Sequence, residues 1–95
     1  MKKNNIMIIG CGGIGSYLIS LLDRANRMGK TDKLLYNITV YDPDVLEMKN
    51  LSYQNFDDED VGMNKAVALA QNYKINAEPY KVLTPSQIEG YDLVI

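Results

Sequence analysis

The residues with the clearest chemical meaning are four glycines within six positions, Gly10-Cys11-Gly12-Gly13-Ile14-Gly15, which fit the pattern G-x-G-x-x-G. The chemistry such a loop serves is anion binding. Gly10 allows a tight turn, Gly12 lets the main chain approach a phosphate, and Gly15 lets a following helix pack closely on the preceding strand. Unpaired amides at the helix start and the helix dipole then favour phosphate oxygens. The competing account is a glycine-rich turn that binds nothing. Cys11 beside a helix start could have a lowered pKa, but it reads as a small residue suited to a tight loop, and no catalysis is assigned to it. Gly29-Lys30-Thr31 imitates the end of a P-loop, yet Arg24 stands where that motif needs glycine and a helix precedes it, so the motif is rejected. Arg24, Arg27, Lys30 and Lys33 read as a solvated helix end, where the dipole favours cations.

Further acids and a lysine follow. Asp42 ends an apolar run, where a carboxylate can accept hydrogen bonds from ribose hydroxyls of either NAD or ATP. It lies further past the last glycine than the usual ~20 residues, and a polar link accounts for the excess. Asp42 and Asp44 also flank Pro43 and can simply form a turn. Asn50, Gln54 and Lys65 are polar residues that need an explanation. Lys65 in the first turn of a helix opposes the dipole unless an anion compensates, either the acidic run 57–60 or a bound phosphate.

Elements that would hold these groups can be read from periodicity. Residues 5–9 are short, apolar and rich in branched side chains, as in a strand buried on both faces of a parallel sheet. Ile14, Leu18, Leu21, Leu22, Ala25 and Met28 then recur as an inward helical stripe, with Ser16, Ser20, Asp23, Arg24 and Arg27 on the other side and Gly29 as the cap. Residues 36–41 form a second strand, stopped by Asp42-Pro43-Asp44. A second helix carries Ala66, Leu69, Ala70 and Tyr73 and closes at Asn76 and Pro79, residues 80–83 read as strand three, residues 85–89 make a helical turn, and residues 91–95 begin a fourth strand. Strands alternating with helices imply a Rossmann-like α/β fold, a mostly parallel sheet with βαβ crossovers. It is expected to be incomplete, so that residues 1–95 make the front portion of one larger nucleotide-binding domain.

Composition narrows the classes. A chain of 95 residues, 46% hydrophobic and 23% charged, is an ordinary globular sequence of at most one domain. A net charge of −2 and pI near 4.9 supply no general attraction for nucleic acid or an anionic membrane. Lys2 and Lys3 precede an apolar run too short for a signal peptide. One cysteine and no histidine exclude an intrachain disulfide and a zinc site, which suits a reducing cytoplasm.

The four blocks Gly10, Gly12, Gly13, Ile14, Gly15 and Ser16; Asp42 and Asp44; Asn50, Leu51 and Gln54; and Gly62 and Lys65 resemble, in order and spacing, the ThiF/MoeB/HesA family of adenylating enzymes related to ubiquitin-activating enzymes. The resemblance implies ATP over the glycine loop, Asp42 on the ribose, and Asn50, Gln54 and Lys65 around the phosphates. It implies attack of a carboxylate on the α-phosphate, the carboxylate being the C-terminal glycine of a ubiquitin-like or sulfur-carrier protein. Magnesium is implied too, with its aspartate beyond Ile95, as is a homodimer. In one place the chain departs from the pattern: the family's arginine is Tyr53 here, and a phenol supplies neither the charge nor the forked donors of a guanidinium. Two rival expectations stand beside this one, a nicotinamide-dependent oxidoreductase domain and a catalytically lapsed binding module. The 95 residues alone are not expected to be active.

Overall fold

The uniformly apolar Ile6, Met7 and Ile8 are all buried, as a strand covered on both faces requires. The computed structural model describes residues 4–29 and 36–95; the expectations resting on Lys2, Lys3, Lys30, Thr31 and Lys33 lie outside them. The chain runs β1 (Asn4–Ile9), α1 (Gly13–Arg27), β2 (Tyr36–Tyr41), 3-10 turns at Met48–Ser52 and Asp58–Asp60, α2 (Lys65–Asn72), β3 (Asn76–Glu78), a 3-10 turn at Pro85–Ile88 and β4 (Leu93–Val94). The strands form one sheet in the order β3-β2-β1-β4, each pair parallel, with Ile6 opposite Ile38 and Leu93, and Thr39 opposite Asn76. This is a Rossmann-like α/β arrangement. Its strand order reverses beside β1, so the loop leaving β1 opens at the position where ligands bind such sheets.

Ile6, Ile8, Ile38 and Val40 from the two central strands pack with Cys11, Ile19, Ala66 and Leu69 in a single core. Across the sheet, Asn37 donates to Asn5 at 3.0 Å and Asn76 donates to Asn37 at 3.2 Å, an amide ladder that fixes the register of three strands.

The inward stripe expected of α1 is corrected. Its buried residues are Ser16, Ile19, Asp23 and Asn26, whereas Ile14, Leu21 and Met28 are exposed and Leu18, Leu22 and Ala25 only partly covered. The reason is hydrogen bonding. Ser16 Oγ accepts from the Asn55 amide at 3.0 Å, Asp23 Oδ1 accepts from the Lys74 amide at 3.2 Å, and the Asn26 side chain both donates to and accepts from the backbone of Tyr36. Three polar anchors therefore tie one face of the helix to three separate segments, and each satisfies groups that would be costly to bury alone.

Three boundaries also differ. The cap of α1 is Met28, and Gly29 behind it is not left-handed. Helix α2 stops at Asn72, because Tyr73 is already extended and packs its ring on the core from there. Strand three lies at Asn76–Glu78 rather than 80–83, since Asn76, Ala77 and Glu78 pair with β2 and Pro79 then removes the donor that would continue the ladder.

Candidate functional site

The glycine loop begins where β1 ends. Gly10 adopts φ +86°, a left-handed conformation that glycine alone enters without strain, and its amide donates to Tyr41 O at 2.8 Å. Gly15 meets the carbonyl of Gly10 so closely that a Cβ would overlap it, so the close approach this glycine permits is that of α1 to the loop itself. Gly12 precedes the helix, and α1 starts with no side-chain cap and no acidic residue in its first turn. The amides of Gly13, Ile14 and Gly15 are thus presented together at the positive end of a 15-residue helix. The Ile14 side chain is 87% exposed, so this residue offers the loop its amide alone.

Asp42 is buried at the end of β2, and its carboxylate is largely engaged by protein. Oδ2 accepts the Cys11 amide at 2.8 Å and the Cys11 thiol at 3.4 Å, while Oδ1 accepts the Asp44 amide at 2.8 Å. A carboxylate has about four acceptor positions, so roughly one remains for another donor. Burial, then the charge of Asp42 and its hydrogen bond, push the Cys11 thiol well above its ordinary range; Lys65 opposes the shift, and Asp44 adds to it. Cys11 is therefore a buried thiol and a poor nucleophile.

Lys65 opens α2 behind its cap Asn64, whose Oδ1 accepts the Val67 amide at 3.0 Å. Only 7% of Lys65 is exposed, and among the described residues it makes no ion pair. The acidic run 57–60 forms no ion pair with it among the described residues. Lys65 instead lines a polar cavity of about 400 Å³ with Asp44, Val45, Glu47 and Asn50. Asp44 also borders a second hollow of about 320 Å³, shared with Gly10, Asp42, Tyr80, Lys81 and Val82.

Asn50 reaches the first of these cavities with both ends of its amide occupied. Its Oδ1 accepts the Glu47 amide at 2.9 Å, and its Nδ2 donates to Tyr53 Oη at 3.2 Å. Tyr53 lies beside Gly13 and is 56% exposed. Gln54 is buried against Gly12 and has a buried Oε1 with no hydrogen-bond partner, an acceptor waiting for a donor.

The predicted site residues thus gather around the carboxyl ends of β1 and β2: Gly10, Asp42 and Asp44 on one hollow, Asp44, Asn50 and Lys65 on the other, Gln54 under Gly12. Glu47 and Tyr80–Val82 were not singled out from sequence. The strand-like character of residues 80–83 masks the latter, and no pattern surrounds Glu47. Among the described residues no group of three or more acidic, cysteine or histidine side chains could hold a metal ion, so magnesium has no assigned ligand here. No helix among them is long and apolar enough to cross a membrane.

The ThiF family model matches residues 1–83. The adenylyltransferase and sulfurtransferase MOCS3 of Xenopus laevis is 32% identical over 105 residues, covering 99% of this chain and 22% of that protein. The chain therefore spans about a fifth of that relative's length. Among solved structures, E. coli MccB with MccA superposes with a TM-score of 0.76 at 22% identity, covering 95% of this chain and 28% of that one. PaaA superposes at 0.72 with 18% identity, covering 96% and 30%. These structural likenesses bear on the fold.

Proposed function

Because this chain belongs to the ThiF family, we propose that it is the ATP-binding front portion of an adenylyltransferase, the remainder of whose activity resides in a longer protein. The observation that carries this reading is Lys65, a largely buried residue without an ion pair among the described residues, which lines a polar cavity at the end of the sheet where the uncapped α1 amides lie. A cation so placed is compensated by a phosphate.

On this reading the glycine-loop amides hold the triphosphate, the free acceptor position of Asp42 takes a ribose hydroxyl, and Asn50 and Gln54 line the phosphate path. The carboxylate of a ubiquitin-like or sulfur-carrier protein attacks the α-phosphorus; a new P–O bond forms, the α–β bridging P–O bond breaks, and pyrophosphate departs. Lys65 and the amides stabilise the charge that builds on those oxygens, an electrostatic contribution with no proton moved by the chain. Magnesium would screen the triphosphate, with its protein ligand outside these residues. The setting is cytoplasmic, and the working form is a homodimer.

Isothermal titration of ATP tests the reading. Lys65→Met should weaken binding by ~10–100-fold, the range for loss of a charge-assisted hydrogen bond. Unchanged affinity in that variant, or displacement of ATP by NADH at equal concentration, would sink the assignment.

One observation favours a second reading. Tyr53 replaces the family arginine and occupies the Asn50 amide, as expected of a binding module in which adenylation has lapsed. ATP binding without ATP–pyrophosphate exchange in the presence of a carrier protein would select it.

A further inference from the structure

Asn50, Tyr53 and Gln54 stand on a segment with few polar ties to the rest of the fold. Among the described residues, every hydrogen bond and ion pair made by residues 47–54 stays within residues 47–56. Polar contacts to the remainder of the protein begin at the two ends of the segment. At one end the Leu46 amide donates to Met63 O at 2.8 Å, and its carbonyl accepts the Gly62 amide at 2.9 Å. At the other end stands Asn55.

The Asn55 backbone amide donates to Ser16 Oγ at 3.0 Å, and its Nδ2 donates to Ser16 O at 3.3 Å and to Tyr73 Oη at 3.1 Å. Both protons of the side-chain amide are thereby used. Each partner is itself held. Ser16 is fully buried in the first turns of α1 and donates to Gly13 O at 3.2 Å, while Tyr73 directly follows α2 and packs its ring on the core. Three directional bonds at one half-buried residue therefore join the start of α1, the end of α2 and the segment that carries Asn50, Tyr53 and Gln54. The joint lies close to the glycine loop: a Cβ at Gly13 would meet Tyr53 O at 3.5 Å, and one at Gly12 would meet the Gln54 amide nitrogen at 3.7 Å.

We propose that Asn55 is a positioning residue for the phosphate site, one that sets how closely Asn50, Tyr53 and Gln54 approach the amides of the glycine loop. This role rests on the nucleotide reading above. A triphosphate that runs from the loop past Asn50 and Gln54 toward Lys65 needs the loop and the segment at the correct spacing together, whereas a single phosphate on the loop needs only the loop. Gln54 Oε1 is the atom most sensitive to that spacing, because a buried acceptor gains only from a donor at hydrogen-bond distance. Releasing the pin therefore costs ATP more than AMP.

Titration of ATP and of AMP, together with hydrogen–deuterium exchange, tests this role. Asn55→Leu keeps the volume of the side chain and removes its two donors. It should weaken ATP about tenfold and leave AMP within about twofold, and in the free protein it should speed exchange at the amides of residues 50–54 while Ile38 and Val40 keep their protection. Tyr73→Phe retains the ring on the core and removes only the hydroxyl; it should reproduce part of the ATP-selective loss, and the double variant should be no worse than Asn55→Leu alone. A residue that merely stabilised the fold would lower both affinities by the same factor, through the folded fraction. Equal losses for ATP and AMP in both single variants, or unchanged exchange at residues 50–54 in Asn55→Leu, overturns the proposal. If wild type binds neither nucleotide while Asn55→Leu still loosens the segment, the nucleotide reading fails and the hold of Asn55 on the segment stands.

Discussion

A single carboxylate oxygen of Asp42 accepts both the amide of Cys11 at 2.8 Å and its thiol at 3.4 Å, so the end of β2 holds the glycine loop in place. The acid expected to face a ribose is first a structural clamp. Asp42→Asn should therefore destabilise the fold by about 2–3 kcal/mol, because an amide oriented to accept at one end directs a donor at the Asp44 or Cys11 amide at the other. Urea unfolding measures this, and ATP affinities of the variant must be read on the folded fraction.

Cys11 is governed by the same clamp. Its thiol is fully buried, and burial together with Asp42 raises its pKa above the ordinary value of 9.0. The neutral thiol is favoured by the folded state, so this group's contribution to stability is fully present below pH ~9 and declines as pH rises toward the folded value, with a slope of at most ~1.4 kcal/mol per pH unit. Cys11→Ala should flatten that part of the stability curve. Iodoacetamide at pH 8 should label wild type only through global unfolding, at a rate that tracks urea concentration.

The two central glycine positions should separate fold from ligand. A Cβ at Gly15 would overlap the carbonyl of Gly10, a backbone atom that cannot withdraw, so Gly15→Ala should lower the unfolding free energy by about 1–3 kcal/mol. A Cβ at Gly12 would meet only the Gln54 side-chain amide, its nitrogen at 3.7 Å and its carbon at 4.0 Å, ordinary contacts. Gly12→Ala should stay within about 1 kcal/mol of wild type in stability and lose ATP affinity. Thermal melts and ATP titrations of the pair check the contrast; equal effects of the two changes on both measurements would contradict it.

How much was legible in the sequence follows from these same residues. The glycine loop and both central strands could be read ahead because each rests on local chemistry or on motif spacing, whereas a common site for Asp42, Asn50, Gln54 and Lys65 is implied only by the family resemblance. The inward face of α1 could not be read ahead. A helical stripe of Ile14, Leu18 and Leu21 signals burial somewhere, but which side meets the sheet was decided by hydrogen bonds from Asn55, Lys74 and Tyr36, residues up to 51 positions away in the chain. Strand three was misplaced for a related reason: β3 is a short edge strand whose pairing with Thr39, Val40 and Tyr41 outweighs the polar character of Asn76 and Glu78, while the more strand-like Tyr80 to Val82 became a wall of the site. The engagement of Asp42 by Cys11 and of Asn50 by Tyr53 was also invisible, since neither pair has a sequence signature.

Tyr53 gives the remaining prediction. Its hydroxyl accepts from Asn50 Nδ2 at 3.2 Å, and its ring lies beside Gly13 at the mouth of the loop. Replacing it with arginine releases the Asn50 amide and introduces a guanidinium where the phosphates are proposed to lie, a donor set that recognises them in forked geometry. Tyr53 is more than half exposed, so Tyr53→Arg should cost less than about 1 kcal/mol in stability. ATP affinity should rise about tenfold or more, the equivalent of at least ~1.4 kcal/mol, and the gain should shrink with added salt as screening weakens the new contact. Tyr53→Phe frees Asn50 without adding charge, and comparing the two by titration at low and high ionic strength separates the electrostatic part from the release of the amide. If arginine improves binding no more than phenylalanine does, position 53 does not face the phosphates.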